Sequence, residues 1–284
     1  MMSTVGRRCY NALSPLHSLI YFAPEAEAEF TALGLRAGGM SYLAGRAAAM
    51  GAVGAGTVAA TFYNFNPSLV ARHIPRAWDL AAPGDVLDAR LRAADRALRR
   101  VLGDGVAADP AVAEAARLAL TAAQGCSAAG RPLYAAHADL PTPEEPHLAL
   151  WHASTLLREH RGDGHLAALA AAELDGLDAL ITHTASGRGF TADFARTSRG
   201  WSESEWDAAG QRLRERGLLD GDGALTEAGT GLRREVEDTT DRLARAPYEH
   251  LGEAESVRLT GIARALSATA LANGAFPAEV FAQA

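Results

Sequence analysis

Lysine is absent from the 284-residue chain, and all 27 of its basic residues are arginine. That absence excludes chemistry that needs a side-chain amine, including PLP Schiff bases, lysine aldolases and the phosphate-binding lysine of a P-loop. Cysteine is nearly absent. Cys9 and Cys126 stand far apart and no CxxC occurs, which excludes a zinc ribbon or a thioredoxin-type site. They read as free thiols in a reducing cytoplasm. Positive charge is in deficit, 27 bases against 34 acids, which counts against a general polyanion binder. Arg7-Arg8 is not read as a twin-arginine leader, because Asn11, Pro15 and His17 interrupt the following run and no Ala-x-Ala site follows.

Long apolar runs are scarce too. Residues 47–71 carry no charge, but Gly51, Gly54, Gly56, Asn64, Asn66 and Pro67 interrupt them. Those residues are costly in lipid, so the stretch reads as buried core helices with a turn. No membrane partner is expected. The 48% apolar content suffices for a real core, and the length suits two domains.

The chain repeats itself at offsets of 141 to 146 residues: Gly45-Arg46 with Gly187-Arg188, Asp95-Arg96 with Asp241-Arg242, Glu114/Arg117-Leu118 with Glu255/Arg258-Leu259, and Leu13/His17 with Leu156/His160. Shared order at a near-constant offset is the mark of an internal duplication. The proline-rich run from Leu140 to His147 reads as the divider. The expected fold is mainly α, with tandem duplicated winged-helix-like halves, 1–142 and 143–284, joined by long helices and carrying a minimal β wing. A duplicated unit packs as a pseudo-two-fold pair, within one chain or as a homodimer.

The second half carries the clearer pattern. Thr191 opens a short helix. Ser202 with Glu205 then forms a capping box, and Trp201 with Trp206 occupies the staple positions. Gly217 stops that helix, residues 218–226 read as a short hairpin, and a long amphipathic helix follows through Leu232, Val236 and Leu243. Asn66 through His73 takes the corresponding place in the first half, which lacks a clear wing. The run RLRERGLLDGDGALTEAG resembles the MarR-type winged-helix family. HSLIYFAPE, FYNFNPSLVARHIPRAW and LREHRGDGHLAAL are similar to an actinobacterial helix-turn-helix family of like length. That resemblance spans most of the chain and implies a fold but no activity.

A MarR-like reader sets a basic helix in the major groove. Here Glu203, Glu205 and Asp207 crowd the leading turn, Asp220 and Asp222 sit in the hairpin, and residues 190–226 hold five arginines against seven acids. The reading is a scaffold that has lost DNA binding. A MarR-like, ligand-responsive regulator is the alternative.

Nine histidines in a lysine-free chain draw attention to His152, His160 and His165, with Gly162 and Gly164 read as a helix break and His165 as the start of the next helix. The duplication sets His17 opposite His160, beside an aromatic wall of Tyr21 and Phe22 and the carboxylate of Glu25. His160, His165 and His17 are the candidate acid/base groups, with Glu159 as orienting carboxylate. Tyr21, Phe22, Glu25, Arg46, Phe62, Tyr63, Asn64, Arg158 and Asp163 are the candidate ligand contacts, giving an apolar lining with a few polar anchors. Structural roles for the histidines, as caps or half-buried core residues, compete with this. The spacing Glu159-His160-x4-His165 matches no common zinc pattern, and neither metal nor cofactor is expected. The expected partner is a small organic molecule, in a cytoplasmic protein.

Overall fold

The computed structural model describes residues 2–282. In chain order the helices are α1 (Met2–Ser18), α2 (Pro24–Ala32), α3 (Gly39–Ala47), α4 (Ala55–Phe62), α5 (Pro67–His73), α6 (Arg76–Leu80), α7 (Pro83–Leu102) and α8 (Pro110–Ala123). They continue as α9 (Pro132–Ala138), α10 (Pro146–Ala171), α11 (Gly176–Thr184), α12 (Ala192–Ser198), α13 (Glu203–Glu215), α14 (Glu227–Leu243), α15 (Ala246–Leu251) and α16 (Glu253–Ala272). Among the described residues, strand pairing is limited to two isolated bridges, Phe190 with Phe281 and Leu219 with Leu225.

The chain forms two compact units. Unit 1 comprises Met1–Ala52, Ala77–Gly164 and Asp241–Phe276, and unit 2 comprises Val53–Arg76, His165–Thr240 and Pro277–Ala284. These are units of packing. Each takes segments from both sides of the 142/143 divide that the repeats suggest.

The core of unit 1 joins Leu13 and Leu16 of α1, Val112 and Leu118 of α8, Leu150 and Leu156 of α10, and Leu259 of α16. Amphipathic spacing makes the elements. On α7, Val86, Ala89, Arg90, Ala93, Ala94, Ala97, Leu98 and Val101 are buried, an i, i+3, i+4 stripe along one face. Arg90 stands inside that stripe. α1 lies along α16, and α2 along α7.

Unit 2 gathers Leu169, Leu174, Leu177, Ile181, Leu213 and Val236. Its helix starts are the ones the sequence marks. Asn66 accepts from Ser68 N at 2.9 Å ahead of Pro67. Ser202 and Glu205 close the capping box reciprocally, and Asp175 caps α11 by accepting from Leu177 N and Asp178 N. Gly176 fits because its backbone lies against the Tyr63 carbonyl, where a Cβ would fall 1.8 Å from the oxygen.

Two expectations need correction. α10 runs unbroken from Pro146 to Ala171, so Gly162 and Gly164 do not end it and His165 does not open a helix. Isolated helical glycines cost only about 1 kcal/mol each, and at Gly164 the missing side chain admits the Arg131 guanidinium, which a Cβ would meet at 2.6 Å. The uncharged stretch is not wholly core either. α4 buries Val58 and Phe62 but exposes Gly56, Thr57 and Ala60. No single helix among the described residues is long and apolar enough to cross a membrane.

Candidate functional site: a buried arginine, histidine and tyrosine cluster

Unit 1 buries an unusual set of polar side chains. His17, Arg46, Arg90, His137, His152 and Glu159 are all buried, with half-buried Tyr21, Tyr42 and Arg158 beside them. α1 supplies His17, and the 3-10 turn Leu19–Phe22 that follows supplies Tyr21. α3 supplies Tyr42 and Arg46. Its Gly45 lets α3 approach the Phe30 ring, where a Cβ would fall 2.7 Å from Cζ. α7 supplies Arg90, the last turn of α9 supplies His137, and α10 supplies Trp151, His152, Thr155, Arg158 and Glu159. On α10, residues 151, 155 and 158–159 follow the helical repeat and share one stripe.

The hydrogen bonds fix the tautomer of His17. Thr155 Oγ1 donates to the Trp151 carbonyl at 2.9 Å. Its one proton is thereby used, so His17 Nδ1, 2.9 Å away, donates to Thr155 Oγ1. Nε2 is then an unprotonated acceptor, and the Tyr21 hydroxyl donates to it at 2.7 Å. Glu159 stands just outside hydrogen-bond range of His17, with Oε1 3.9 Å from Nε2. Arg46 Nη2 reaches Glu159 Oε1 at 3.2 Å, and Arg158 Nη1 reaches Oε2 at 2.5 Å. Arg46 also donates to the Tyr42 hydroxyl at 3.2 Å, and its Cζ lies 5.2 Å from the Tyr21 ring centroid. Arg90 hydrogen-bonds Tyr21 and stacks over Trp151 with Cζ 4.7 Å from the ring centroid.

The electrostatics follow from this packing. Burial holds His17 well below the usual histidine range, against the pull of Glu159 and with the help of the Arg158, Arg90 and Arg46 cations. Burial pushes His137 down to about 3 and His152 down to about 4, each reinforced by Arg90. Burial alone would raise Glu159, but Arg158 and Arg46 hold it well below the ordinary carboxylate range. Burial raises Tyr21. At neutral pH the cluster therefore holds three guanidinium cations, one carboxylate, neutral imidazoles and protonated phenols.

The structure thus brings together His17, Tyr21, Arg46, Arg158 and Glu159 of the residues expected from sequence. The others stand elsewhere. His160, one residue on from Glu159, points off the stripe. Its ring packs edge-on to Tyr134 at 5.3 Å, and its carbonyl accepts from Arg131. Asp163 accepts from Tyr134 N at 3.0 Å, so it serves the start of α9. Glu25 pairs with Arg100 at 2.5 Å, and Phe22 packs on Phe276. His165 belongs to unit 2, with Nδ1 2.8 Å from Thr240 Oγ1. Phe62, Tyr63 and Asn64 are also in unit 2. Tyr63 donates to the Leu174 carbonyl at 2.8 Å, and the Asn64 carbonyl accepts from Trp201 Nε1 at 2.9 Å. Among the described residues no three His, Cys, Asp or Glu side chains are grouped to hold a metal.

Arg90, His137, Tyr42 and Trp151 were missed as site residues. The signal was present for Arg90, an arginine in the apolar stripe of an amphipathic helix, where a charge is almost never buried without a purpose or a partner.

In unit 2, α12, a tight turn and α13 are followed by the Leu219–Leu225 bridge and α14. The Arg212 guanidinium lies 3.2 Å from Asp178 Oδ1, and that of Arg216 lies 3.2 Å from Asp178 Oδ2. Arg214 donates to the Asp220 carbonyl. Glu205 is held in the cap and by Asn66 Nδ2 at 3.1 Å.

Unit 2 therefore contains the element order of a helix-turn-helix in a mainly α-helical protein. The chain belongs to a helix-turn-helix family, whose model matches residues 6–277. No curated protein and no solved structure matches it.

Proposed function

We propose that the protein binds a small organic molecule at the unit 1 cluster, on a helix-turn-helix scaffold that has given up DNA binding. One observation carries this reading: three arginines, three histidines and two tyrosines are gathered around a single carboxylate where a core of this size needs only apolar packing. Burying such groups costs several kcal/mol each unless something repays it. The Tyr21–His17 couple equips the same place for acid/base work. His17 Nε2 accepts from the phenol, which keeps its proton at rest because burial raises Tyr21 and lowers His17. Arg90, hydrogen-bonded to Tyr21, and Arg46, over its ring, are the cations that would steady the oxygen if it gave that proton up. Native mass spectrometry of the purified protein tests the reading. A retained small molecule, lost when Tyr21 and Arg90 are replaced together, is the expected result. A particle of bare protein mass that takes up nothing from a metabolite extract refutes it.

Membership of a helix-turn-helix family favours a second reading, a DNA-binding regulator, which in our reading would be ligand-responsive and of MarR-like, winged-helix type. The charge pattern of unit 2 weighs against it. Glu203 and Asp207 are exposed at the leading turn of α13, and the arginines at its far end are engaged by Asp178 and the Asp220 carbonyl. A mobility-shift titration on the DNA upstream of its own gene decides between them. Tight, salt-dependent and sequence-selective binding reverses our preference.

The internal duplication belongs to the same proposal. It is supported by α8 and α16, the carriers of one repeat pair, packing together in unit 1 with Arg258 Nη2 2.7 Å from Glu114 Oε2. Against it stands Gly45-Arg46, which is helical while Gly187 has φ +72° in a loop. The mass spectrum also reports whether one chain or two form the particle.

A further inference from the structure

Arg46 and Arg158 both reach the one carboxylate of the cluster, and Arg90 does not. No ion pair joins Arg90 to a carboxylate among the described residues, and its Nη2 has no hydrogen-bond partner although the side chain is only 4% exposed. Two more buried polar groups without partners lie on α10, the helix that carries the ring under Arg90. These are Trp151 Nε1, on the ring over which Arg90 stacks, and Ser154 Oγ, one turn further along α10. Nearly every buried donor in a folded protein has an acceptor, and an unsatisfied guanidinium nitrogen is among the costliest to leave. A guanidinium N–H and an indole N–H can only donate. What they lack is an acceptor, and the surrounding charge, three cations against one anion, asks for a negative one. Nearby, the half-buried Tyr21 and Tyr42 rings lie 5.4 Å apart, centroid to centroid, with the Arg46 guanidinium over both, and are the aromatic groups next to the site.

We infer that this site takes a small organic carboxylate with a planar, apolar body, its carboxylate received by Arg90 Nη2 with Trp151 Nε1 and Ser154 Oγ at hand and its body against the Tyr21 and Tyr42 rings. The inference rests on the small-molecule reading above and narrows it to one chemical class. Cations are disfavoured by the three guanidiniums, and a neutral acceptor such as an amide would satisfy the donors without balancing their charge.

Calorimetric titration with benzoate, benzamide and inorganic phosphate tests it on wild type, Arg90→Gln and Trp151→Phe. Trp151→Phe keeps a ring for Arg90 to stack on, so it retains the fold if Arg90→Gln does not. Benzoate is expected to bind saturably and more tightly than the other two. Its affinity should fall about ten- to a hundred-fold in Arg90→Gln, the worth of a charge-assisted hydrogen bond, and about two- to tenfold in Trp151→Phe. Benzamide binding as tightly as benzoate overturns the carboxylate while leaving the small-molecule reading intact. Phosphate binding as tightly overturns the planar body. Benzoate that fails to bind, or binds equally to wild type and Trp151→Phe, overturns the site.

Discussion

Lowering the pH from 7 to 5 should destabilise unit 1, and His137 provides the cleanest measure of it. In the unfolded chain a histidine takes up its proton near pH 6.5. In the folded protein burial, reinforced by Arg90, holds His137 neutral down to about 3. Between those values the unfolded state binds a proton that the folded state refuses, so stability falls with pH throughout that window and is fully present above it. At pH 5 the gap is about 1.5 pH units, which corresponds to about 2 kcal/mol from this one side chain. That is a large share of the roughly 5–15 kcal/mol that holds a typical domain together. His152 and His160, both held near 4 first by burial, act in the same direction. Asp163, raised by burial, opposes them. The test is therefore a difference. Urea unfolding of wild type and His137→Gln at both pH values should show the variant losing about 2 kcal/mol less on acidification. Equal losses in the two proteins would mean that His137 is solvated or already charged when folded, and the account of the cluster as a dry, cationic site would fail with it.

Other perturbations probe separate joints of the argument. Glu159→Gln leaves Arg46 and Arg158 without their carboxylate and should cost about 3–5 kcal/mol in denaturant unfolding; wild-type stability would show that the carboxylate balances nothing. Gly176→Ala places a methyl group against the Tyr63 carbonyl, so unit 2 should lose at least about 1–3 kcal/mol and its thermal transition should move down. Ser202→Ala removes one arm of the capping box and should cost about 1 kcal/mol, with amide exchange rising first at the start of α13.

The local signals in the sequence were legible because they act over three or four residues. The Ser202–Glu205 box, the Asn66 cap ahead of Pro67 and the short hairpin closing at Leu219 and Leu225 all appear where the residues indicated them. At longer range the reading came close but missed by one residue. The repeat argument set His160 opposite His17, whereas α10 turns Thr155 and Glu159 toward it and His160 toward Tyr134. One residue on a helix is 100° of rotation, and no repeat offset that drifts between 141 and 146 can fix a rotation. The glycines of α10 misled for a different reason. Helix propensity is a weak preference, and packing around Arg131 overrode it. Arg90, His137 and Tyr42 come from three helices far apart in sequence, so only the fold brings them beside His17.

The complete use of arginine acquires a physical meaning at this site. A lysine buried as deeply as Arg90 would shed its proton, since desolvation lowers a lysine by several pH units and the nearby Glu159 is paired with Arg46 and Arg158 rather than with this position. A guanidinium starts high enough to remain charged despite the lowering that burial imposes on Arg90. It also presents a flat face to Trp151 while its edge donates. Arg90→Lys is therefore not a conservative change here. The unfolded chain takes up a proton that the buried amine refuses, so Arg90→Lys should lose stability as pH falls, and its benzoate affinity should depend on pH as it does not in wild type, strengthening as the solution is acidified toward pH 6. A lysine variant that binds benzoate as wild type does across that range would show that the anion is held by net charge alone, and that the stacked, forked geometry of Arg90 contributes nothing.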